Sequence, residues 1–426
     1  MIWNGKSSLL AGLMLAATLP SSADTVKPPG RKPLADRLSE DHLTQFDQDR
    51  EKLVSRLKTI EVPYPFKRSI LHAHSYLSHD SNAQIPEIIA AAKATNTMIV
   101  GFTNHRDKDV DVVEACVKGW HEGVYFLAGT ETNELFWPGR EGQPDLRFVS
   151  HPEGVPSFDR TKYQGMEIYN THSDAIDEPM SKLFTVLITR IPSLIKHPNA
   201  AFCALIDYPK SFLERFDRLT MEAPFAGIGA VDAHQNQRVK LVAHPDGSVE
   251  ALDFENESIW KGTGVPAALL MSTLGQKGPP DEPKELVDIQ IDPYELSTRH
   301  VGTYLQIDDV NEKTVRHAIG TGRIILALEN VVPLPQIGFW VERDGQPIGT
   351  VGDQIQIVDA LTIRCVLPLP GRLRLIQDGQ PVLETTSDGF SLSNVRPGVY
   401  RLEAFLTLAG ESWPWVISNP IYIRGK

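Results

Sequence analysis

Six short apolar runs in the first 234 residues each stop at polar side chains able to bind metal, and this repetition limits the fold more than any other feature. Ile70-Leu71 runs into His72-Ala73-His74, with Ser78-His79-Asp80 close behind. Met98 to Thr103 leads to Asn104-His105-Arg106, Val124 to Gly129 leads to Thr130-Glu131, and Leu146 to Ser150 leads to His151-Pro152-Glu153. Gly165 to Asn170 leads to Thr171-His172, and Phe225 to Val231 leads to Asp232-Ala233-His234. Helical stretches between several of the runs predict parallel strands. Polar residues at the carboxyl ends of such strands mark the face on which a (β/α) barrel carries its site. Capping would explain one or two such ends, but not the choice of His, Asp and Glu at all of them.

With 426 residues, 41% of them hydrophobic and 23% charged, the chain reads as an ordinary globular protein with room for two domains. Its formal charge of -12 gives no general electrostatic case for nucleic acid or for an anionic membrane surface. Cys116, Cys203 and Cys365 are too few and too widely spaced for a disulfide framework, and read as small buried apolar residues. Lys6, the apolar stretch Leu9 to Pro20 and the small residues Ser21-Ser22-Ala23 predict a bacterial-type signal peptide over residues 1–23. The expected location is therefore periplasmic or extracellular, with no membrane span after cleavage.

Residues 24–65 are expected to form a linker and an amphipathic helix over Leu38 to Ile60, and residues 66–330 the barrel. Within the barrel, Pro86 to Thr95, Asp109 to Trp120, Pro179 to Ile195, Ala200 to Leu219 and Glu312 to Gly320 read as helices. Val239 to Pro293 reads as a loop-rich excursion, and Arg323 to Leu328 as a last strand. From about Val331 the texture changes: Arg343-Asp344-Gly345-Gln346-Pro347 is echoed by Gln377-Asp378-Gly379-Gln380-Pro381, and Asp-Gly between strands is a hairpin signal. Residues 331–426 are thus expected to form a small all-β sandwich of immunoglobulin-like size that packs rather than catalyses.

Two histidines at i and i+2 of a strand share a face, and a neutral imidazole nitrogen is a good ligand for a divalent transition metal. Together with Asp80, Asn104-His105, Glu131, His151 and Asp232-x-His234, they resemble the ordered motifs of the polymerase and histidinol phosphatase (PHP) superfamily of metal-dependent hydrolases, over about residues 66 to 330. That resemblance implies an α/β fold, a distorted seven-stranded (β/α) barrel, with two or three divalent ions, zinc, manganese or iron, in its mouth. It implies His72, His74, Glu131 and Asp232 around one ion, Glu131 shared with a second ion that His151 also serves, and Asp80, His105 and His234 at a further position. Asn104 stands where the family most often has Asp, which alters support for His105. No histidine lies in Thr132 to Ser150, where three-metal members carry one; His172 and Glu153 are substitutes to weigh, as is His79.

A bound divalent ion lowers the pKa of water from about 15.7 to about 7, and a carboxylate such as Glu131 can hold two ions together. Glu131 and Asp232 are therefore expected in the catalytic machinery, with Arg106 and Arg299 as cations for a phosphate group. The leading expectation is an exported phosphoesterase acting on a small or polymer-linked phosphate ester. An amidohydrolase-like enzyme cutting C-N or C-O bonds, and a barrel that only binds a ligand beside an adhesion-type β-region, are the other readings. Composition sets no oligomeric state. A chain ended near Leu328 is expected, if soluble, to keep metal and some activity on a small substrate.

Overall fold

The computed structural model describes residues 31–171, 190, 193–254, 256–290, 292–357 and 360–425. The proposed signal peptide, His172 and most of Pro179 to Ile195 lie outside the described residues. The architecture is mixed α/β and mostly strands. Among the described residues, twenty strands belong to one hydrogen-bonded network and four others form a separate sheet.

The site is carried by ten strands in chain order: β1 (Phe66–Ala73), β2 (Ile99–Phe102), β3 (Asn104–His105), β4 (Gly119–His121), β5 (Val124–Leu127), β6 (Thr130–Glu131), β7 (Glu134–Trp137), β8 (Leu146–Val149), β9 (Gly165–Asn170) and β10 (Ala226–Ala233). β1 pairs in parallel with β2 on one side and β10 on the other. β2 pairs with β5, β3 with β6, β8 with β9 and β9 with β10, all in parallel. β7 is antiparallel to both β6 and β8. Pairing thus runs from β5 through β2, β1, β10, β9, β8 and β7 to β6 and β3, and the chain itself closes the circuit where β2 continues into β3 and β5 into β6. β5, β9 and β10 are buried on both faces and β1 nearly so, as expected of a parallel sheet covered on each side.

Helix Ile85–Ala94 connects β1 to β2; Pro86 stands in its first turn, and Gln84 and Glu87 form a capping box. Its Ile88, Ile89, Ala91 and Ala92 are buried. The Trp137 indole fills space under the site that is open because residue 129 is glycine: a Cβ there would fall 2.6 Å from both Phe136 O and Trp137 Cδ1. Helix Glu40–Val54 shortens the expected 38–60 segment. Asp109 to Trp120 is a single helical turn, Val112–Ala115, before Gly119 takes φ 74° and β4 begins. The expected helix from Ala200 to Leu219 is two, Pro198–Cys203 and Lys210–Glu222, broken before Pro209.

Val239 to Pro293 is not loop-rich. β11 (Arg238–Ala243), β12 (Val249–Leu252), β13 (Ser258–Gly262) and β14 (Lys284–Gln290) form an antiparallel sheet. Leu241, Ala243, Val249 and Ala251 bury one face against Ala267, Leu270 and Met271 of helix Gly264–Thr273. β15 (Val301–Gln306) then runs antiparallel to the first half of β1, and β16 (Ile324–Leu328) runs antiparallel to β15.

Beyond residue 331 the described residues form only strands and their connections, and the two Asp-Gly pairs expected as turns are two-residue hairpin loops, whereas Asp388-Gly389 lies within the strand Gln380–Ser393. Asp344 and Gly345 have φ 50° and 76°, Asp378 and Gly379 φ 52° and 77°, the doubly positive pattern of a type I′ turn. This region is not held by a tether alone. Strand Glu411–Ser418 pairs with β16, so the C-terminal strands continue the sheet that contains β1. Asn419 closes two 2.7 Å hydrogen bonds with the backbone of Gly227 in β10, and the Arg401 guanidinium meets the Asp217 carboxylate at 2.5 and 2.8 Å.

Candidate metal centre

The strands of the circuit bring their carboxyl ends together, and four ligand atoms converge there. His72 Nε2 lies 3.0 Å from Glu131 Oε2 and 3.2 Å from Asp232 Oδ1; His74 Nε2 lies 3.3 Å from each of the same two oxygens. All four residues are buried, and their ligand atoms lie within 4.8 Å of one another. A second group, Asp80, His105 and His234, adjoins it through His74. His105 Nε2 is 3.3 Å and His234 Nε2 3.5 Å from Asp80 Oδ2, and the His234 ring stacks on His74 at 3.9 Å.

His151 reaches the first group from the other side. Its Nε2 stands 3.1 Å from Glu131 Oε1 and 3.6 Å from Asp232 Oδ2. Each of the two carboxylates therefore offers one oxygen to the His72 and His74 pair and the other to His151, the geometry of a bridging ligand. Ser150 Oγ donates to Glu131 Oε1 at 2.6 Å and fixes that rotamer.

The backbone is bent to make this possible. His72, His151 and Asp232 take φ of 56°, 43° and 52°, a region that non-glycine residues rarely enter. Against β2 the extra residue lies in β1, so His72 is bulged there; against β10 it lies in β10, where Val231 and Asp232 stand opposite His72. Both imidazoles do share a target, but through a bulge rather than through the regular alternation the i, i+2 spacing predicts.

Proton placement tests whether a cation fits. His72 Nδ1 is 2.5 Å from Glu167 Oε1, and a carboxylate can only accept, so the proton sits on Nδ1. His74 Nδ1 lies 2.9 Å from Ser78 Oγ, which lies 3.2 Å from Asn104 Oδ1; with the Ser78 proton donated to Asn104, His74 donates to Ser78 from Nδ1 and its Nε2 is free to bind a cation. Both Nε2 atoms are left without a hydrogen-bond partner, as are Asp232 Oδ1, His234 Nε2 and Asp80 Oδ1, all buried. Lone pairs of nitrogen and oxygen facing one another in a buried pocket repel unless protons or a cation sit between them. A donor set of imidazoles and carboxylates suits a divalent ion such as zinc.

Without a metal the charges are balanced by protons. Burial opposes charging of His72 and His151, but Asp232, Glu131 and Glu167 outweigh it at His72, and Glu131, Glu153 and Glu167 at His151; both are held well above the usual imidazole range. His74 is also raised. Burial likewise opposes ionisation of Glu131 and Asp232, yet the facing histidines, His72 first, hold both well below the carboxylate range. His234 is pushed down to about 3 by burial and by His74.

The signs fix a pH dependence. The raised histidines stabilise the fold below the ordinary imidazole pKa, and that contribution is lost as pH rises through their folded values. The lowered carboxylates contribute above their unfolded pKa and lose it only as pH falls through their folded values. His234, held low, has the opposite sign and costs stability below the ordinary imidazole pKa. Metal-free protein is therefore expected to melt lower at about pH 9 than at about pH 7, where that cost is small, and zinc to raise the melting temperature more at the higher pH, where fewer protons compete. An equal zinc effect at both pH values in thermal melts would contradict this proton-for-metal exchange.

Among the other sequence candidates, Arg106 is exposed beside His105 and in no ion pair among the described residues. Arg299 is not brought to the cluster: it pairs with Glu295 Oε1 at 2.6 Å and reaches Ala94 O at 3.4 Å, at the helix end that leads into the start of β2, away from the ligand-bearing strand ends. The His79 ring is 5.3 Å from that of His105 and in neither ligand group, and Glu153 Oε1 is 3.5 Å from His151 Nδ1. Asn104 supports His74 through Ser78 rather than His105 by its side chain. Glu167 escaped the sequence reading altogether.

The sequence matches no family model and no curated protein. Among solved structures, a two-domain protein from Bacteroides vulgatus ATCC 8482 containing a predicted PHP-like metal-dependent phosphoesterase aligns over 85% of this chain and 98% of its own, at 10% identity and a TM-score of 0.33. A superposition that loose assigns neither fold nor function.

Proposed function

We propose that the chain is a metal-dependent hydrolase, a phosphoesterase of the PHP type, whose strand circuit is the barrel of that class. The observation that carries this reading is the convergence of His72 Nε2, His74 Nε2, Glu131 Oε2 and Asp232 Oδ1 with both imidazole protons engaged elsewhere. Those four residues would hold one divalent ion. Glu131, Asp232 and His151 would hold a second, and Asp80, His105 and His234 a third, with zinc, manganese or iron as the metals. When bound, such ions activate water at neutral pH and neutralise charge developing on a phosphate. Glu131 and Asp232, each with one oxygen toward His72 and His74 and the other toward His151, would serve both positions. Arg106, exposed at the rim, is the cation available to a phosphate oxygen. The apolar stretch Leu9 to Pro20 supports an exported protein, and no described helix is long and apolar enough to cross a membrane.

The test is a screen of protein loaded with zinc, manganese or iron against phosphomonoesters, phosphodiesters and amides. Turnover of a phosphate ester that disappears on chelation and returns with metal is the expected result. Turnover of amides alone would favour the C-N bond alternative. No sequence motif supplies a Ser or Cys nucleophile, and all three cysteines are buried. Hydrolysis in heavy-oxygen water is therefore expected to label the released phosphate directly, and a trapped phosphoenzyme would refute that route.

A further inference from the structure

Glu167 belongs to neither ligand group, yet its carboxylate is fully buried in β9 behind both histidines that flank Glu131. A buried carboxylate is costly unless donors surround it. Here there are three. His72 Nδ1 meets Oε1, and Oε2 accepts from the His151 backbone N-H at 2.9 Å and from Asn170 Nδ2 at 3.0 Å. The same carboxylate thus grips two residues of positive φ, His72 by its side chain and His151 by its backbone. His74, by contrast, is backed only by the neutral hydroxyl of Ser78.

We propose that Glu167 is the positioning residue of the site: it keeps the His72 proton on Nδ1, so that the Nε2 lone pair faces Glu131 and Asp232, and it pins the His151 backbone so that His151 addresses Glu131 from the opposite side. The inference rests on the metal-centre reading and names what fixes its ligands. A negative partner on Nδ1 also makes the imidazole a stronger donor at Nε2, so His72 is a tighter ligand than His74.

Glu167→Gln keeps volume and removes one acceptor. If the glutamine amide nitrogen faces His72, the ring proton must move to Nε2 and close the metal-facing lone pair; if it faces the other way, the His151 N-H loses its acceptor. Zinc alone is the probe, titrated into metal-free full-length protein in competition with a chromogenic chelator. Zinc affinity is expected to fall about 10–100-fold in the Gln variant. Glu167→Asp, which keeps the charge with a shorter reach, is expected to recover part of that loss and serves as the readout if the Gln variant does not fold. In zinc-loaded parent protein the His72 Nδ1 proton should resonate far downfield, as an imidazole N-H bonded to a carboxylate does, and should be absent from that position in the Gln variant. Unchanged zinc affinity in both variants overturns the positioning role. Absence of zinc binding by the parent protein overturns the metal reading itself, so the two failures are distinct.

Discussion

His74→Ala protein is expected to carry at least one divalent ion fewer than its parent, with a loss of phosphoesterase activity beyond the roughly 10–100-fold that removal of an outer hydrogen-bond partner costs. His74 is a direct ligand candidate, its Nε2 3.3 Å from both Glu131 Oε2 and Asp232 Oδ1. It is also the face on which His234 stacks, so its removal loosens the neighbouring Asp80, His105 and His234 group. Elemental analysis alongside turnover of a phosphomonoester measures both effects. A variant with full metal content and full activity would remove these four residues from consideration as one centre.

Ending the chain near Leu328 is expected to yield unfolded or insoluble protein, so that the sequence-based expectation of retained metal and some activity, which holds only for a soluble product, is not realised. β16 has strand partners on both sides, and the cut removes one of them, leaving an apolar edge of Ile324 to Leu328 open to association. Trp415, Val416 and Ile417, each no more than 1% exposed, go with it. At roughly 1.5–3 kcal/mol per fully buried large apolar side chain, a few such losses rival the whole stability of about 5–15 kcal/mol of an ordinary domain. Sedimentation and circular dichroism of the shortened chain decide the matter. A soluble, folded product that retains metal would show the barrel to be self-sufficient.

The strand-end residues are legible because each follows an apolar run and breaks it; that His72, His74, Glu131 and Asp232 belong together is what the family resemblance implied, and their ligand atoms do converge. The bulge at His72 is not legible, since nothing in Leu-His-Ala-His announces a positive φ. Glu167 was hidden by its neighbours: between Met166 and Ile168 it passes for one polar position in a strand, although a carboxylate in a run otherwise fit for burial needs buried donors. Arg299 misled because its sequence setting says nothing of which strand end it lies near. The β11 to β14 sheet was obscured by Gly and Pro in its turns and by exposed charges such as Lys261, Lys284 and Glu285, which thin the apolar pattern to one covered face. The hairpins at Asp344-Gly345 and Asp378-Gly379 are legible because that turn chemistry is local, while Asp388-Gly389, the same dipeptide, continues a strand, so the flanking residues decide which Asp-Gly turns.

The pair of hydrogen bonds between Asn419 and Gly227 sets an order of events. Gly227 lies on the strand that ends in Asp232, yet its backbone is satisfied by a residue 192 positions later in the chain. As the chain is synthesised, every ligand from His72 to His234 emerges well before the residue that closes β10. Contacts of such separation form late in folding, after the entropy of a long loop has been overcome. The candidate metal site is therefore expected to be completed last although its ligands are made first, and a chain halted before residue 419 is expected to carry every ligand and yet hold no ion.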